Sequence, residues 1–417
     1  MVSARTRLVL ALLVAINIIA FVDRQLPFVL AESIRRDLAL SDTQIGLIGG
    51  LAFALFYGAA ILPLAALADR WSAKWVLVGC VALWSATTAL GGLAANFWQL
   101  AASRMGVAIG EAASTPASHV MIAQSWPAER RSMALGIFAT GVPIGIMLGL
   151  GLGGWLNDLA NWRVALVLIG LPGLIVAAAF AIVAPNRRSG ARHDAADSAG
   201  LVASARELFA CPSYAFLAAG VTVFGVGGYA VFAFSAPFLI RVQGLSATQA
   251  GLALGLLHGV AGIIGALGGG VAADWLARRD RRYPLYLAGG GFAITAPLLL
   301  AAWLAQSATL SLACLVVPAL TGSLYSAPCF GAAQALAPPH ARAAASAIPL
   351  LGQSLIGASL GPVLVGAISD RLAPEHGVDS LRYALCWLAL GYAVAGALVL
   401  AAAAHLRRDL AAREGAG

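Results

Sequence analysis

Arg104-Met105-Gly106-Val107-Ala108-Ile109-Gly110-Glu111 sets two full charges inside a largely apolar run from Phe97 to Ile122. A charge at bilayer depth costs a few kcal/mol even on the lenient insertion scale, so such residues face a protein interior or a wet cavity and pair with something. Seven residues make nearly two helical turns, which puts Arg104 and Glu111 on one face about 10 Å apart along the axis. The one comparable place is Asp23-Arg24, in the first apolar run.

The rest of the chain supplies the membrane that this reading needs. Hydrophobic residues make up 60% of the sequence, charged residues 11%, and the mean hydropathy is +0.87. Soluble domains carry roughly a quarter charged residues, so this composition belongs to a polytopic membrane protein. Its many glycines and prolines fit membrane helices, where small residues let backbones approach. Cys80, Cys211, Cys314, Cys329 and Cys386 show no CxxC spacing and read as small hydrophobes, without metal or disulfide. The apolar start, Leu8 to Ala20, is followed at once by Asp23-Arg24, and reads as an uncleaved first span.

A crossing helix needs about 20 apolar residues. Runs of that size fall near 8–30, 43–68, 75–95, 97–122, 132–156, 163–184, 213–240, 248–273, 284–304, 309–336, 343–369 and 381–406. Twelve spans put both termini on one side. Of the 26 Lys and Arg, eighteen fall on that side, six on the other, and Arg24 and Arg104 lie within spans. The excess marks the cytoplasmic side and explains the net charge of +8 without nucleic acid. The expected fold is therefore an all-α membrane protein of twelve transmembrane helices in two pseudo-symmetric six-helix bundles, residues 1–184 and 213–417. A polar cytoplasmic linker, 185–212, joins them. Each half repeats an acid followed by basic residues where its second span ends, at Asp69, Arg70 and Lys74 and at Asp274, Arg278 and Arg279. Such internal symmetry is expected of a protein with two halves that rock.

These features resemble the major facilitator superfamily, whose loop motif G-x-x-x-D-R-x-G-R-K is matched at Asp69, Arg70 and Lys74 and, in the second half, at Gly270, Asp274, Arg278 and Arg279. The first copy departs at Ala65, Ser72 and Ala73. Within the superfamily the chain is similar to the spinster-like transporters at Asp23-Arg24, at Arg104 with Gly110-Glu111-Ala112, and at Gly361 to Asp370. The family's Asn-Tyr before the Asp-Arg pair is replaced by Ala20 and Phe21. The resemblance implies alternating access, lipid or lysolipid substrates, and spans 1 and 4 facing a central cavity.

Helix geometry places Asp23 about 6 Å and Arg104 about 8 Å outward of the midplane, with Glu111 close to the midplane. Asp23 is thus expected to pair with Arg104. Glu111 is expected to be the isolated acid and, with Asp23, to carry the coupling proton. Arg24 and Arg104 are candidates for an anionic headgroup, since Arg suits bidentate contact with carboxylate or phosphate. The second half offers Tyr229, Phe232, Tyr325, Gln353 and His258 as the apolar side of the site. Gly136, Gly141, Gly145, Gly149 and Gly153 make a smooth face on span 5, expected to meet Gly255, Gly259, Gly262, Gly265 and Gly269 of span 8.

No Walker, HExxH or GxSxG motif and no nucleotide fingerprint occurs, so neither catalysis, ATP drive, metal nor cofactor is expected. The leading expectation is a proton-coupled secondary transporter of amphiphiles, acting as an exporter from a bacterial-type inner membrane, with protons and membrane lipids as partners and the monomer as working unit. A small organic-anion symporter of the same fold and a non-transporting receptor are the alternatives.

Overall fold

The structure, a computed structural model, describes residues 3–186 and 198–414. The central part of the expected linker, with Arg187, Arg188 and Arg192, lies outside the described residues, as do the side chains of Asp69 and Arg70. Among the described residues every regular element is helical.

Ten stretches among them are long and apolar enough to cross a membrane. The last, Pro339–Ala412, spans 74 residues and is broken by a 3-10 turn at Gly377–Asp379, so it contains two helices. Gly377 carries the break, with a φ of +52° that a residue without Cβ adopts freely. The expected span 97–122 is not one of the ten, because it divides at Ala113 into Phe97–Ala112 and Ser114–Ser125 and carries both charges with several hydroxyls. Polar caps set the helix starts. The Asn96 side chain accepts from the Gln99 amide, while the Gln99 side chain accepts from the Ala95 amide. Asn161 caps Val164 and Ser307 caps Leu310 in the same manner.

Two compact units divide the chain, Met1–His193 with Gly244–Gly259, and Asp194–Gln243 with Val260–Gly417. The helix Ala247–Ala277 contributes its first half to one unit and its second half to the other. Leu13, Ile16, Val81, Trp84, Val107 and Phe180 fill the core of the first unit. In the second, Tyr214, Phe234, Phe238, Phe292 and Trp303 are wholly buried, with Phe238 edge-on to Trp303 at 5.0 Å. The outward residues are also apolar: Ile182 is 81% exposed and Leu62 74%. That inversion suits hydrocarbon surroundings.

The glycine face of the fifth expected span meets a different neighbour from the one expected. A Cβ at Gly145 would lie 2.7 Å from the Ile18 carbonyl, and one at Gly149 2.8 Å from the Val22 carbonyl, so this face packs on the helix Ala4–Val29. The start of Ala247–Ala277 instead approaches the adjacent edge, at Met147, Leu150 and Gly154, and its later glycines, Gly265 and Gly269, face Leu320 and Leu324. One stripe of small residues cannot serve two helices at once, and the chain uses two edges of the fifth span.

Candidate functional site

In the first unit, Asp23 and Arg24 from Ala4–Val29 converge with Arg104 and Glu111 from Phe97–Ala112. Gly110 makes the convergence possible. A Cβ there would lie 2.8 Å from the Cys80 carbonyl and the Trp84 amide, so only glycine lets this helix close on Ala73–Gly91. Asp23 and Glu111 are fully buried, Arg104 is 4% exposed, and the Arg24 side chain is 26% exposed.

Arg24 Nε donates to Glu111 Oε2 at 2.5 Å. Its guanidinium lies 4.9 Å from the Phe21 ring centroid, 5.2 Å from Phe53 and 5.0 Å from Tyr57, an aromatic cage for the cation. Arg104 lies 5.7 Å from the Phe53 centroid, and its Nη1 reaches the main-chain carbonyl of Asp23 at 3.5 Å. That carbonyl is available because Pro27, four residues on and still helical, has no amide to offer it. Both Asp23 carboxylate oxygens lack a hydrogen bond, as does Glu111 Oε1. Around the Asp23 carboxyl stand Thr88, Arg104 and Glu111.

The geometry corrects the expected pairing. Glu111 is not the isolated acid; it holds Arg24, while the Asp23 carboxylate is the group left without a hydrogen bond. Successive helical residues point about 100° apart. Equal depth therefore did not ensure that Asp23, rather than Arg24, faced the other helix. Ionised, the four groups sum to zero charge, and one added proton leaves a net positive site that an anion can offset.

The second unit gathers an aromatic cluster. Phe224 stacks on Phe292 at 4.4 Å and lies 4.5 Å from Tyr325 and 5.6 Å from Tyr392. Phe330 borders Tyr325 at 6.4 Å, and Tyr229 is close enough to act on it electrostatically. Tyr325 Oη donates to Gln353 Oε1 at 2.5 Å. Gln353 sits in a π-helical turn, Gly352–Gly357, held against Gly225, where a Cβ would lie 2.8 Å from Gln353 Cα. Such turns re-aim side chains within a helix. Phe232 is half-buried on the helix that carries Tyr229, and His258, also half-buried, belongs to the first unit.

Of the loop-motif residues, Lys74 is 7% exposed with its ammonium 4.9 Å from the Trp75 ring. Asp274 and Arg278 are exposed, and Asp274 shares the wall of a cavity of about 270 Å³ with Arg281 and Leu406. Sequence reasoning passed over Pro27, Phe53, Tyr57, Thr88, Phe292 and Tyr392. Pro27 four residues after a charged residue, and Phe53 with Tyr57 at i,i+4, were signals of the right period.

The Major Facilitator Superfamily model matches residues 13–362. An MFS-type efflux pump of Mycolicibacterium smegmatis is 36% identical over 405 residues, covering 96% of this chain and 93% of that protein. Protein spinster homolog 1 of Bos taurus is 29% identical over 98% of this chain and 82% of its own. Among solved structures, a bacterial homolog of the human lysosomal transporter Spinster, inward-facing and unoccupied, superposes with a TM-score of 0.86 at 28% identity, covering 98% of both chains. The nucleoside transporter NupG shares the fold at a TM-score of 0.74 and 15% identity, over 94% of this chain and 98% of its own. Matched by that family model over residues 13–362 and by these relatives over nearly its whole length, the chain belongs to the major facilitator superfamily, as a spinster-like transporter, a class of proteins that are not enzymes.

Proposed function

We propose that this protein is a proton-coupled secondary active transporter that moves an amphiphilic anion by alternating access. The reading includes twelve crossings with both termini in the cytoplasm, bundles 1–184 and 213–417, a bacterial inner membrane and a working monomer. One observation carries it: a cluster of two acids and two arginines, with Asp23, Arg104 and Glu111 buried and Arg24 partly so, in which Glu111 holds Arg24 and the Asp23 carboxylate accepts from neither arginine. Protonating Asp23 turns that cluster net positive, so anion binding and proton uptake favour one another. The headgroup then competes with Glu111 for Arg24, and Arg104 stays on the Asp23 carbonyl. Tyr229, Phe232, Tyr325 and Gln353 of the second unit are the candidates for the apolar tail, and His258 of the first unit is a separate candidate for substrate contact. Asp69, Arg70, Lys74, Asp274 and Arg278 serve the change of access.

The name of the mycobacterial relative, an efflux pump, and the likeness to a bacterial homolog of the human lysosomal transporter Spinster support a small-molecule cargo. The test is flux of a fluorescent lysophospholipid in proteoliposomes under an imposed pH gradient. Wild type should show gradient-dependent flux and Asp23→Asn none. Gradient-dependent flux of Asp23→Asn equal to wild type would overturn the reading, and preference for short carboxylates regardless of chain length would replace the amphiphile by a small organic anion.

A further inference from the structure

A cavity of about 10 Å³ lies beside the charged cluster, within the first unit, lined by Thr88, Ser103 and Arg104 and by apolar Ile34, Ile45 and Leu100. It has room for about one water molecule, which needs two to four polar partners. Those partners are present and otherwise unused: Thr88 Oγ1 and Arg104 Nε are both buried without a hydrogen bond. Ser103 donates its own proton to the Thr87 carbonyl at 2.9 Å and keeps oxygen lone pairs to offer. Thr88 also borders the Asp23 carboxyl, whose two oxygens are unsatisfied as well. Polar groups buried this thoroughly are rarely left without partners, because each unpartnered one forfeits its hydration without replacement. Ile34 and Ile45 belong to the connection and helix start between the first two spans, on the side opposite the Lys- and Arg-rich loops.

We propose that this cavity holds one water and forms the last step of a proton path from the outer face to Asp23, with Thr88 as the relay; the proposal rests on the reading that Asp23 exchanges a proton. The water passes a proton to Thr88 Oγ as the hydroxyl's own proton moves to the Asp23 carboxylate. The water is restored by the next proton from outside. The net change is one proton taken up and one carboxylate made a carboxylic acid, with no other bond altered. Arg104, on the cavity wall, offers its Nε to the water and fixes the water's orientation. Glu111, the other acid near Asp23, is occupied by Arg24. Arg24 is not among the residues that line this cavity.

Time-resolved infrared difference spectroscopy after a pH jump, on protein in nanodiscs, tests this without a substrate. Wild type should show a protonated-carboxyl band that Asp23→Asn removes. Thr88→Val, of equal size but without the hydroxyl, should slow the rise of that band at least tenfold and leave its final amplitude unchanged. Thr88→Ser should restore the rate to within twofold, with a solvent isotope effect absent from Thr88→Val. If Thr88→Val does not fold, Ile48→Phe, which fills the cavity from another wall, should give the same slowing. A wild-type rate in the folded variant would overturn the path while leaving the Asp23 reading intact. Absence of any Asp23-dependent band in wild type at any pH would end both.

Discussion

Pro27 stands four residues after Asp23 on one helix, and the Asp23 carbonyl, denied its helical amide, receives Arg104 instead. A backbone defect thus decides what a buried cation holds. It ties the Arg104 side chain to the main chain rather than to the Asp23 carboxylate.

Pro27→Ala returns the amide and should close the helical turn. Arg104, released, should fall onto the Asp23 carboxylate. The expected outcome is a more stable but slower protein: a higher melting temperature in detergent, since a helix-interior proline costs about 3 kcal/mol, with pH-gradient-driven flux reduced at least tenfold. Equal melting and equal flux would sink the link between proline and proton site.

Glu111→Gln removes the partner of a cation whose aromatic cage stays in place. Breaking one side of a buried pair costs about 3 kcal/mol, and replacing both sides by apolar groups recovers most of it. Denaturant unfolding should therefore rank wild type close to Arg24→Met/Glu111→Leu and both well above Glu111→Gln. The double variant should bind no anionic amphiphile, although it folds.

Gly145→Leu should destabilise rather than merely slow turnover. Its Cβ alone would lie 2.6 Å from Phe21 Cβ and 2.7 Å from the Ile18 carbonyl, so the first helix must move. Overpacking of this kind costs about 3 kcal/mol, and Phe21 is part of the Arg24 cage. Thermal unfolding checks it, and an unchanged melting temperature would refute it.

Asp280, in the connection between two helices, accepts from the Arg282 side chain at 3.0 Å and from Arg407 at 2.7 Å. Hydrogen bonds from Arg282 and the charges of Arg282 and Arg407 lower its pKa from 3.8 to about 2. A carboxyl with a lowered folded-state pKa adds stability above its unfolded value and loses it as pH falls toward the folded one. Asp280→Asn should thus melt below wild type at neutral pH, and the gap should close between about 4 and about 2. A gap constant across that window would exclude the ion pairs as its source.

Tyr325→Phe deletes the hydroxyl that Gln353 accepts while leaving the ring against Phe224. The stability loss should be about 1 kcal/mol. If the cluster holds an acyl tail, KM for a lysophospholipid should change less than threefold, whereas Phe224→Ala should raise it more than tenfold.

The class of this protein and the depth of its charges were readable from residue order, because hydrophobic length and helical rise are local quantities. Arg104 and Glu111 could be placed on one face, and Asp23 at the depth of Arg104, without knowing any neighbour. Which acid held which arginine could not be read, since that depends on how far each helix is turned about its own axis. Packing sets that turn: Gly110 closing on Trp84, and Gly145 closing on Phe21. The glycine stripe was likewise visible as a smooth face but silent about its partner.

By itself, the sequence determined a membrane-embedded helical transporter with four charges buried where charge is costly. Only the tertiary structure decided that Arg24 takes Glu111, that Arg104 takes a carbonyl exposed by Pro27, and that neither arginine takes the Asp23 carboxylate. Period and hydrophobicity are written along one helix, whereas a hydrogen bond between helices depends on two rotations at once.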